Sequence, residues 1–436
     1  MSKNKFMHER NIYKKPPDFT ELAVKYPEFL KVCKLDLNGS AQVDFRNPDT
    51  LRILTKCLLL RDFQLDVEIP AGKLVPTLPL RLNYILWIED ILEKMGICEA
   101  TGLDIGCGAS CVYPMLGAKW KGWRMYGTDI TEEIAKSARE NVVRNDLHEK
   151  VTIIQQDESD SVFSRVQADL HFCMCNPPFF DDTRDCPENR TGKRASPKNA
   201  PTGDATELAC AGGEVAFIER IIEESVQMKD RVAFFTTMIG VKHDLAILVK
   251  KLREKNITNY IETQFCQGNT TRWGLAWTFR EDLFLRRVPC INPSAGAGSD
   301  SKTVNFTLTN SDEESLKFVI EKLRRIFGEL EMTVEILQES AGMANWLVRA
   351  QSNTWSHQRR KRRQMMKEAS QDVEILQERK KPRLDEKPIL VAEVLMVPRN
   401  NQAKLELIYL DGKLGRDGIH QVLQYIINNW RRDASL

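Results

Sequence analysis

The apolar run from Leu170 to Cys175 ends abruptly at a double proline, in the sequence Asn176-Pro177-Pro178-Phe179. Proline donates no hydrogen bond to a sheet and biases the preceding residue toward extended geometry, so this run predicts a buried strand that stops at Asn176. Ligands of open α/β sheets bind beyond the carboxyl ends of the strands. The sequence therefore predicts an α/β fold with a ligand site at this turn.

The residues of this turn suit the recognition of a planar amine. The exocyclic amine of adenine is a poor nucleophile because its lone pair is delocalised into the ring, so a catalyst must accept hydrogen bonds from both amine hydrogens. The Asn176 side-chain oxygen and the Pro177 carbonyl supply two acceptors, and Pro178 stiffens the turn. Phe179 can stack on the base, a contact worth roughly 1–3 kcal/mol. The alternative is a simple strand-ending turn, which is the commoner meaning of an Asn-Pro pair alone.

A glycine-rich turn lies upstream, in the sequence T-G-L-D-I-G-C-G-A-S of residues 101–110. An apolar strand that carries an acid runs into two glycines, which let the backbone approach a ligand beside the start of a predicted helix. Cys111 occupies the third glycine position of the dinucleotide pattern, so the turn favours S-adenosylmethionine over a pyrophosphate cofactor. The candidate donor-site residues here are Asp104, Gly106, Gly108 and Ser110.

Three further residues are candidates for the donor site. Asp129 ends the strand predicted from Met125 and can accept hydrogen bonds from both ribose hydroxyls. Arg81, at the predicted start of a helix, either faces solvent or holds the donor's carboxylate bidentately. Asp157, after the next predicted strand, is a candidate for the adenine amine of the donor. Glycine turn, strand-end acid and N-P-P-F, in that order, make a stronger signal than any one of them.

Composition limits the remaining options. A net charge of +2 leaves nucleic-acid binding to local patches. No apolar run has membrane-spanning length and no secretory segment begins the chain, so we expect a soluble intracellular protein. The 11 cysteines include no C-x-x-C pair and the six histidines show no zinc-site spacing, so no metal site is expected.

Basic residues cluster at residues 3–15, 181–206 and 357–387, and a polar hairpin loop predicted at residues 267–273 carries Arg272 and Trp273. Each of these four segments can bind RNA phosphates. Each segment also has an ordinary alternative. Residues 3–15 can be a solvated arm, and residues 181–206 a floppy insertion rather than a substrate-gating loop. Residues 267–273 can be a surface turn, and residues 357–387 a disordered or nuclear-import tract. The candidate RNA-binding residues are Lys5, Arg10, Lys14, Lys15, Arg46, Arg190, Arg194, Arg272, Arg359, Arg360 and Lys361.

The chain is long enough for two or three domains. A proline- and glycine-rich stretch marks the main boundary, and apolar strands and helices resume on its far side. The predicted organisation is a basic arm with a small helical subdomain (1–75), an α/β domain (76–288) with a flexible loop (181–206), a linker (289–301), and a smaller α+β domain (302–436) with a basic insert (357–387).

These motifs together resemble the methyltransferase-like-sixteen family, the adenine-N6 methyltransferases of U6 spliceosomal RNA. The resemblance covers roughly residues 1–285. It is carried by Arg10–Phe19 (R-N-I-Y-K-K-P-P-D-F), Pro79–Glu89, Leu103–Ala118, Phe172–Phe180, Gly212-Gly213-Glu214 and Phe265–Trp277.

The resemblance implies a Rossmann-like methyltransferase domain with S-adenosylmethionine as donor, followed by an α+β RNA-binding domain of kinase-associated-1-like fold. It implies structured RNA partners, namely U6 small nuclear RNA and messenger-RNA hairpins of the S-adenosylmethionine synthetase type, with an adenine in a UACAGAGAA-like context. It also implies a monomer in the nucleus, with the cytoplasm as a further location. By the same resemblance, Phe179 stacks on the target adenine, and the residues at the donor are Arg81, Gly106, Ser110, Asp129 and Asn176.

Two other functions fit the residues. The first is a methyltransferase for DNA adenine or a protein glutamine, because both use Asn- or Asp-Pro-Pro-aromatic turns. The second is an RNA-binding protein that senses S-adenosylmethionine without turning over. The basic segments favour a nucleic acid over a protein, and a base presented in a loop favours RNA.

Overall fold

The computed structural model describes residues 3–181, 202–257, 259–280, 283, 285, 288, 291, 303–309, 316–340, 343–355, 388–399 and 402–430. The chain separates into two compact units, Met1–Asn292 and Pro293–Leu436. Most of the predicted loop 181–206, most of the linker and the basic insert lie outside the described residues, and so do Arg190, Arg194, Arg359, Arg360 and Lys361. None of the described helices combines the length and apolarity needed to cross a membrane.

The first unit opens with short elements that share its core. Asp18 caps the first helix by accepting the backbone N–H groups of Thr20 and Glu21. The helices and the sheet that follows contribute to one hydrophobic cluster, so residues 1–75 belong to the same compact unit as residues 76–288. The elements are α1 (Phe19–Lys25), α2 (Pro27–Val32), β1 (Lys34–Leu35), β2 (Ala41–Gln42) and α3 (Pro48–Phe63).

A seven-stranded sheet forms the centre of this unit. Its elements are α4 (Leu78–Lys94), β3 (Thr101–Ile105), α5 (Val112–Lys121), β4 (Arg124–Asp129), α6 (Glu132–Arg144), β5 (Val151–Gln155), β6 (Leu170–Cys175), α7 (Ala205–Leu208), α8 (Gly213–Ser225), β7 (Val232–Ile239), α9 (Lys242–Glu254), β8 (Tyr260–Gln267) and β9 (Thr270–Trp277). The strand order is β5-β4-β3-β6-β7-β9-β8, and β9 runs in the direction opposite to the other six strands. Because the order reverses between β3 and β6, the carboxyl ends of β3, β4 and β6 surround the crevice where ligands bind in such sheets.

Close packing of β3 requires glycine at one position. Gly102 pairs with Phe172 of β6, and a Cβ on Gly102 would lie 2.2 Å from Phe172 Cζ. The Phe172 ring is fully buried, with Trp123 and Phe234 packed beside it. We therefore expect Gly102→Ala to lower the free energy of unfolding by about 1–3 kcal/mol or more, measured by chemical denaturation. Gly328→Ala, in a helix with no atom within 4 Å of the new methyl group, is the matched control and should not destabilise.

The helix that carries Arg81 begins four residues earlier than the sequence predicts. Thr77 is the N-cap residue and Pro79 stands in the first turn, where proline is tolerated because its missing N–H has no helical partner. Arg81 therefore lies inside α4, where it is buried, and the prediction that it begins the helix is wrong.

The predicted polar loop of residues 267–273 is mostly strand. Gly268 has φ of 54°, so a tight turn at Gly268-Asn269 suffices to reverse the chain. Arg272 and Trp273 consequently lie in β9, where Trp273 pairs with Ile239 of β7. The prediction of a loop here is corrected: both side chains are fixed by the sheet.

The second unit is an α+β domain. Its elements are β10 (Thr303–Thr309), α10 (Leu316–Glu329), β11 (Thr333–Ser340), β12 (Met343–Ala350), β13 (Leu390–Arg399), β14 (Gln402–Asp411) and α11 (Gly415–Trp430). The strands form an antiparallel sheet in the order β10-β14-β13-β12-β11. Phe327 of α10 and Ile426 of α11 pack with Trp346, Val394 and Leu407 of the strands in one hydrophobic core. The unit thus has the α+β architecture that its sequence pattern predicts.

Candidate active site

The candidate catalytic turn, Asn176-Pro177-Pro178-Phe179, follows β6, and the end of this strand is held by two neighbouring elements. The Cys175 N–H donates to the Tyr84 hydroxyl of α4 over 3.2 Å. The Thr236 hydroxyl of β7 donates to the Cys173 carbonyl over 2.8 Å and lies 2.8 Å from the Tyr84 hydroxyl, which therefore donates to it. Tyr84 is fully buried. This chain of hydrogen bonds fixes the end of β6, so the Asn176 backbone leaves the strand at a defined position.

Phe179 is a partly buried aromatic platform with two immediate neighbours. The guanidinium carbon of Arg272 lies 5.0 Å from the centre of its ring, in cation–π geometry. Gly240, at the end of β7, approaches so closely that a Cβ there would lie 2.7 Å from Phe179 Cδ1. The candidate RNA-binding residue Arg272 thus supports the ring on which the target base is expected to stack.

A buried carboxylate holds the turn that carries Gly240. Glu214 is 2% exposed and accepts the N–H groups of Gly240 over 2.6 Å and of Val241 over 3.0 Å. Burial raises the pKa of Glu214 to about 8, although the two backbone donors act to lower it. The sequence marks Glu214 only through its G-G-E motif, and the structure adds its function as a clamp behind Phe179.

The contact between Gly240 and Phe179 predicts a catalytic phenotype for a small change. In Gly240→Ala the new methyl group displaces the ring, so we expect turnover on RNA to fall about tenfold because the target base loses its aligned platform. Donor affinity should stay within twofold of wild type, since Gly240 directly follows β7 and is not part of the glycine turn. Steady-state methyl transfer and calorimetric donor titration check both expectations, and unchanged turnover would contradict the platform role.

The glycine turn is locked to the end of β4. The N–H groups of Gly106 and Cys107 both donate to the Thr128 carbonyl over 2.9 Å, and the Gly108 N–H donates to Asp129 Oδ2 over 3.1 Å. Gly106 and Gly108 have φ of 75° and 65°, a conformation that side chains disfavour. Burial raises the pKa of Asp129, whereas its hydrogen bonds from backbone N–H groups lower it. The Asp129 carboxylate therefore lies beside the glycine backbone, and its contact with the ribose of the donor stays a prediction.

Asp104 and Arg81 leave polar atoms unsatisfied in the interior. Asp104 is 1% exposed, and neither of its carboxylate oxygens has a hydrogen-bond partner among the described residues. Arg81 is 9% exposed; it donates to the Tyr113 hydroxyl over 2.8 Å, and its Nε has no partner in the same part of the chain. Burial raises the pKa of Asp104 well above its ordinary value, while the Arg81 charge lowers it.

Unsatisfied buried groups of opposite charge fit a zwitterionic ligand. An ammonium group would satisfy the Asp104 carboxylate and a carboxylate would satisfy Arg81, and the amino-acid end of S-adenosylmethionine carries both. When bound, that donor supplies an electrophilic methyl group. An unsatisfied buried pair of opposite charge, with Asp104 on β3 and Arg81 on α4, together with the Asn-Pro-Pro-Phe turn after β6, is characteristic of an S-adenosylmethionine-dependent methyltransferase. Residues 1–281 match a family model described as RNA methyltransferase, and the chain belongs to that family.

Individual relatives agree with this assignment. The "U6 small nuclear RNA (adenine-(43)-N(6))-methyltransferase" of Drosophila pseudoobscura pseudoobscura is 47% identical over 287 residues, which cover 63% of this chain and 94% of that protein. The "RNA N(6)-adenosine-methyltransferase METTL16" of Homo sapiens is 34% identical over 413 residues, which cover 88% of this chain and 73% of that protein.

Solved structures give the same result for the first unit. The human METTL16 catalytic domain in complex with MAT2A 3′UTR hairpin 1 matches with a TM-score of 0.61 and 40% identity, covering 65% of this chain and 98% of that one. The N-terminal domain of human METTL16 in complex with SAH matches with a TM-score of 0.54 and 37% identity, covering 63% and 99%. The predicted family, Rossmann-like fold, RNA adenine-N6 methyltransferase activity and S-adenosylmethionine donor are confirmed.

Asp157 does not join the buried site in this structure. Its carboxylate is exposed and pairs with Arg165 over 3.2 Å. The preceding residue, Gln156, is buried; its N–H donates to the Asp129 carbonyl over 3.0 Å and its Oε1 has no described partner. Sequence reasoning passed over Gln156 because a buried amide at a strand end carries no motif. The predicted contact of Asp157 with the donor adenine stays a prediction.

The N-terminal arm packs against the hairpin formed by β8 and β9 in the same unit. The Lys3 ammonium donates to the Thr271 hydroxyl over 2.6 Å, and Asn4 Oδ1 accepts the Gly268 N–H over 2.7 Å. Tyr13, one of two aromatic residues that this arm offers for stacking on RNA, is instead buried, and its hydroxyl donates to Asp62 over 2.8 Å. The interior position follows from its apolar ring, which packs in the hydrophobic core.

Arg10, one of the candidate RNA-binding residues, forms ion pairs with acidic side chains of the protein. It pairs with Glu89 over 2.8 Å, with Asp90, and with Glu93 over 3.1 Å, all on α4. Its charge is therefore largely compensated by the protein. The remaining described candidates are Lys14, which is half-buried, and three exposed residues, Lys5, Lys15 and Arg46.

Proposed function

We propose that this protein transfers a methyl group from S-adenosylmethionine to the N6 atom of an adenine in a structured RNA hairpin of the U6 small nuclear RNA type, and to messenger-RNA hairpins of the kind that METTL16 binds. The observation that carries the proposal is that Tyr84 and Thr236 hold the end of β6 at Cys173 and Cys175, directly before the turn Asn176-Pro177-Pro178-Phe179. The names of the relatives support the choice of RNA.

The residues of the turn define how the base is held. Asn176 Oδ1 and the Pro177 carbonyl accept the two amine hydrogens, which draws electron density back onto the amine nitrogen. Phe179, supported by Arg272, stacks on the base and excludes water from that face. A dedicated general base is unnecessary, because the methylated amine is cationic and loses its proton to water.

Exposed cations favour a polyanionic substrate. Lys5, Lys15 and Arg46 are exposed on the same compact unit as the catalytic turn. Such side chains track phosphates without reading sequence, so they add affinity rather than base preference. We propose that selection of the adenine comes from the hairpin loop, which presents an unstacked base to the turn.

The decisive experiment measures methyl transfer from labelled S-adenosylmethionine to four substrates. These are a hairpin with UACAGAGAA in its loop, a scrambled hairpin, duplex DNA and a glutamine peptide. Transfer to the first hairpin alone, recovered as N6-methyladenosine, supports the proposal. Methylation of DNA or peptide would replace the substrate class, and tight hairpin binding without transfer would favour a sensor of S-adenosylmethionine.

We further propose that the protein acts as a monomer in the nucleus and also reaches the cytoplasm. The support for a nuclear location is the pair of basic clusters at residues 359–363 and 379–383, a composition typical of import signals. Imaging of a fluorescent fusion with both clusters neutralised tests the location. Light scattering of the purified chain tests the monomer.

A further inference from the structure

Residues 202–208 are docked onto residues 73–75 by three polar contacts. The Lys73 ammonium lies 2.6 Å from Asp204 Oδ2, the Val75 N–H donates to the Thr202 hydroxyl over 2.9 Å, and the Leu74 N–H donates to Glu207 Oε2 over 2.9 Å. The partners are more than 120 residues apart in sequence. These contacts give the segment, which includes α7, a fixed position beside the glycine turn.

Glu207 directs a carboxylate oxygen toward the donor site. Its Oε2 is occupied by the N–H groups of Leu74 and Asp204, whereas its Oε1 is buried and has no hydrogen-bond partner among the described residues. That free oxygen lies 3.9 Å from the point where a Cβ on Gly108 would stand. Burial raises the pKa of Glu207, although its backbone donors and the nearby Lys73 lower it.

A second carboxylate meets the same glycine. The Gly108 N–H donates to Asp129 Oδ2, so Asp129 and Glu207 approach the turn around one residue. Both Asp129 oxygens already accept a backbone N–H, from Gly108 and from Thr131. A ligand that donates two hydroxyl hydrogens here would share the Asp129 oxygens with these backbone donors. Glu207 Oε1 supplies a further acceptor for one of the hydroxyl groups.

We propose that Glu207 is a donor-binding residue whose free oxygen accepts a hydrogen bond from a ribose hydroxyl of S-adenosylmethionine. It does so from the segment that follows the catalytic turn rather than from the glycine turn or β4. The inference rests on the donor and not on the identity of the RNA, because Glu207 is held by its hydrogen bond from Leu74 and lies near Gly108.

The same segment is hydrogen-bonded to the catalytic turn. The Phe180 N–H donates to the Leu208 carbonyl over 3.1 Å, and the Cys210 N–H donates to the Phe180 carbonyl over 2.9 Å. Phe180 directly follows the stacking residue Phe179. Glu207 directly precedes Leu208, whose carbonyl is hydrogen-bonded to Phe180. A contact between Glu207 and the donor would therefore connect occupancy of the donor site with the position of Phe179.

The test is calorimetric binding of S-adenosylhomocysteine, without RNA, to the whole chain of 436 residues. Glu207→Gln keeps an oxygen for the Leu74 and Asp204 N–H groups but puts an amide donor in place of the free acceptor. We expect its Kd to rise roughly tenfold or more, as for loss of a charged hydrogen bond. Analogues that lack the 2′- or the 3′-hydroxyl should bind to the wild type more weakly than S-adenosylhomocysteine does. The analogue that lacks the hydroxyl bound by Glu207 should lose little further affinity in Glu207→Gln.

Glu149→Gln, at an exposed position, is the matched control and should bind like wild type. Glu207→Asp keeps the charge but withdraws the oxygen by one methylene, so it should give an intermediate Kd and serves if the glutamine variant does not fold. An unchanged Kd in a folded Glu207→Gln protein would overturn the inference. Tighter binding would also overturn it, since Glu207 would then obstruct the site. Failure of wild type to bind would instead overturn the donor assignment itself.

Discussion

Asn176→Ala is expected to lower methyl transfer to the UACAGAGAA hairpin by a factor of about 10²–10³, the usual effect of losing one preorganised polar contact to the reacting group. The reason is that the amide oxygen of Asn176 is one of two acceptors that restore electron density to the adenine amine. The other, the Pro177 carbonyl, belongs to the backbone and survives the substitution. Single-turnover kinetics with saturating RNA measure the chemical step directly.

Binding controls separate catalysis from folding in this experiment. Hairpin affinity should stay close to wild type, because Phe179 and the exposed cations remain. The thermal midpoint should also be unchanged, since the end of β6 is anchored through Cys175, Tyr84 and Thr236 rather than through Asn176. Asn38→Ala, at an exposed position, provides the matched asparagine substitution. A rate for Asn176→Ala within threefold of wild type would show that this side chain does not hold the amine.

Asp104→Asn is expected to abolish most donor binding while making the ligand-free protein more stable. Asp104 is buried, and neither of its oxygens has a hydrogen-bond partner among the described residues, so a bound ammonium group would supply an ion pair with hydrogen bonds. The neutral amide forfeits that ion pair, and we expect the Kd for S-adenosylhomocysteine to rise about 100-fold. The same change removes a buried charge from the free protein, which should raise its thermal midpoint by roughly 2–4 °C for each kcal/mol recovered.

The pH dependence of wild type follows from the raised pKa of Asp104. In the folded protein this carboxyl keeps its proton at pH values where the unfolded chain has already lost it. The stability contributed by Asp104 is therefore fully present below its unfolded pKa and is lost as the pH rises through the folded value. Donor affinity runs the opposite way, because the ammonium group needs the ionised carboxylate, so binding should strengthen with pH over the same interval.

Thermal unfolding and calorimetry across that pH interval, on wild type and Asp104→Asn, test both slopes together. The asparagine variant should lack the part of each slope that Asp104 produces. Asp230→Asn, at an exposed position, controls for the change in net charge. If the asparagine variant bound the donor as tightly as wild type, the pairing of Asp104 with the ammonium group would be refuted.

The elements that carry the candidate site could be predicted from the sequence because its main signals are local. The double proline ends β6 at Cys175, since proline cannot extend a ladder, and the structure gives the same strand bounds. The turn at Gly106 and Gly108 follows β3 because positive φ there needs glycine. Asp129 ends β4 as its pattern predicts. Such features depend on neighbours within a few residues, so they can be read without the fold.

The tertiary structure decided how those residues are supported. The Tyr84 and Thr236 hydroxyls meet although 152 residues separate them, and Arg272 supports Phe179 from an antiparallel strand that the sequence presented as a loop. Arg10 looked like a free cation, but its charge is matched by three acids on one face of α4. Hydrogen bonding and packing between distant segments depend on the order of strands in the sheet. Local sequence rules predicted where the candidate site lies, and long-range packing determined which side chains support it.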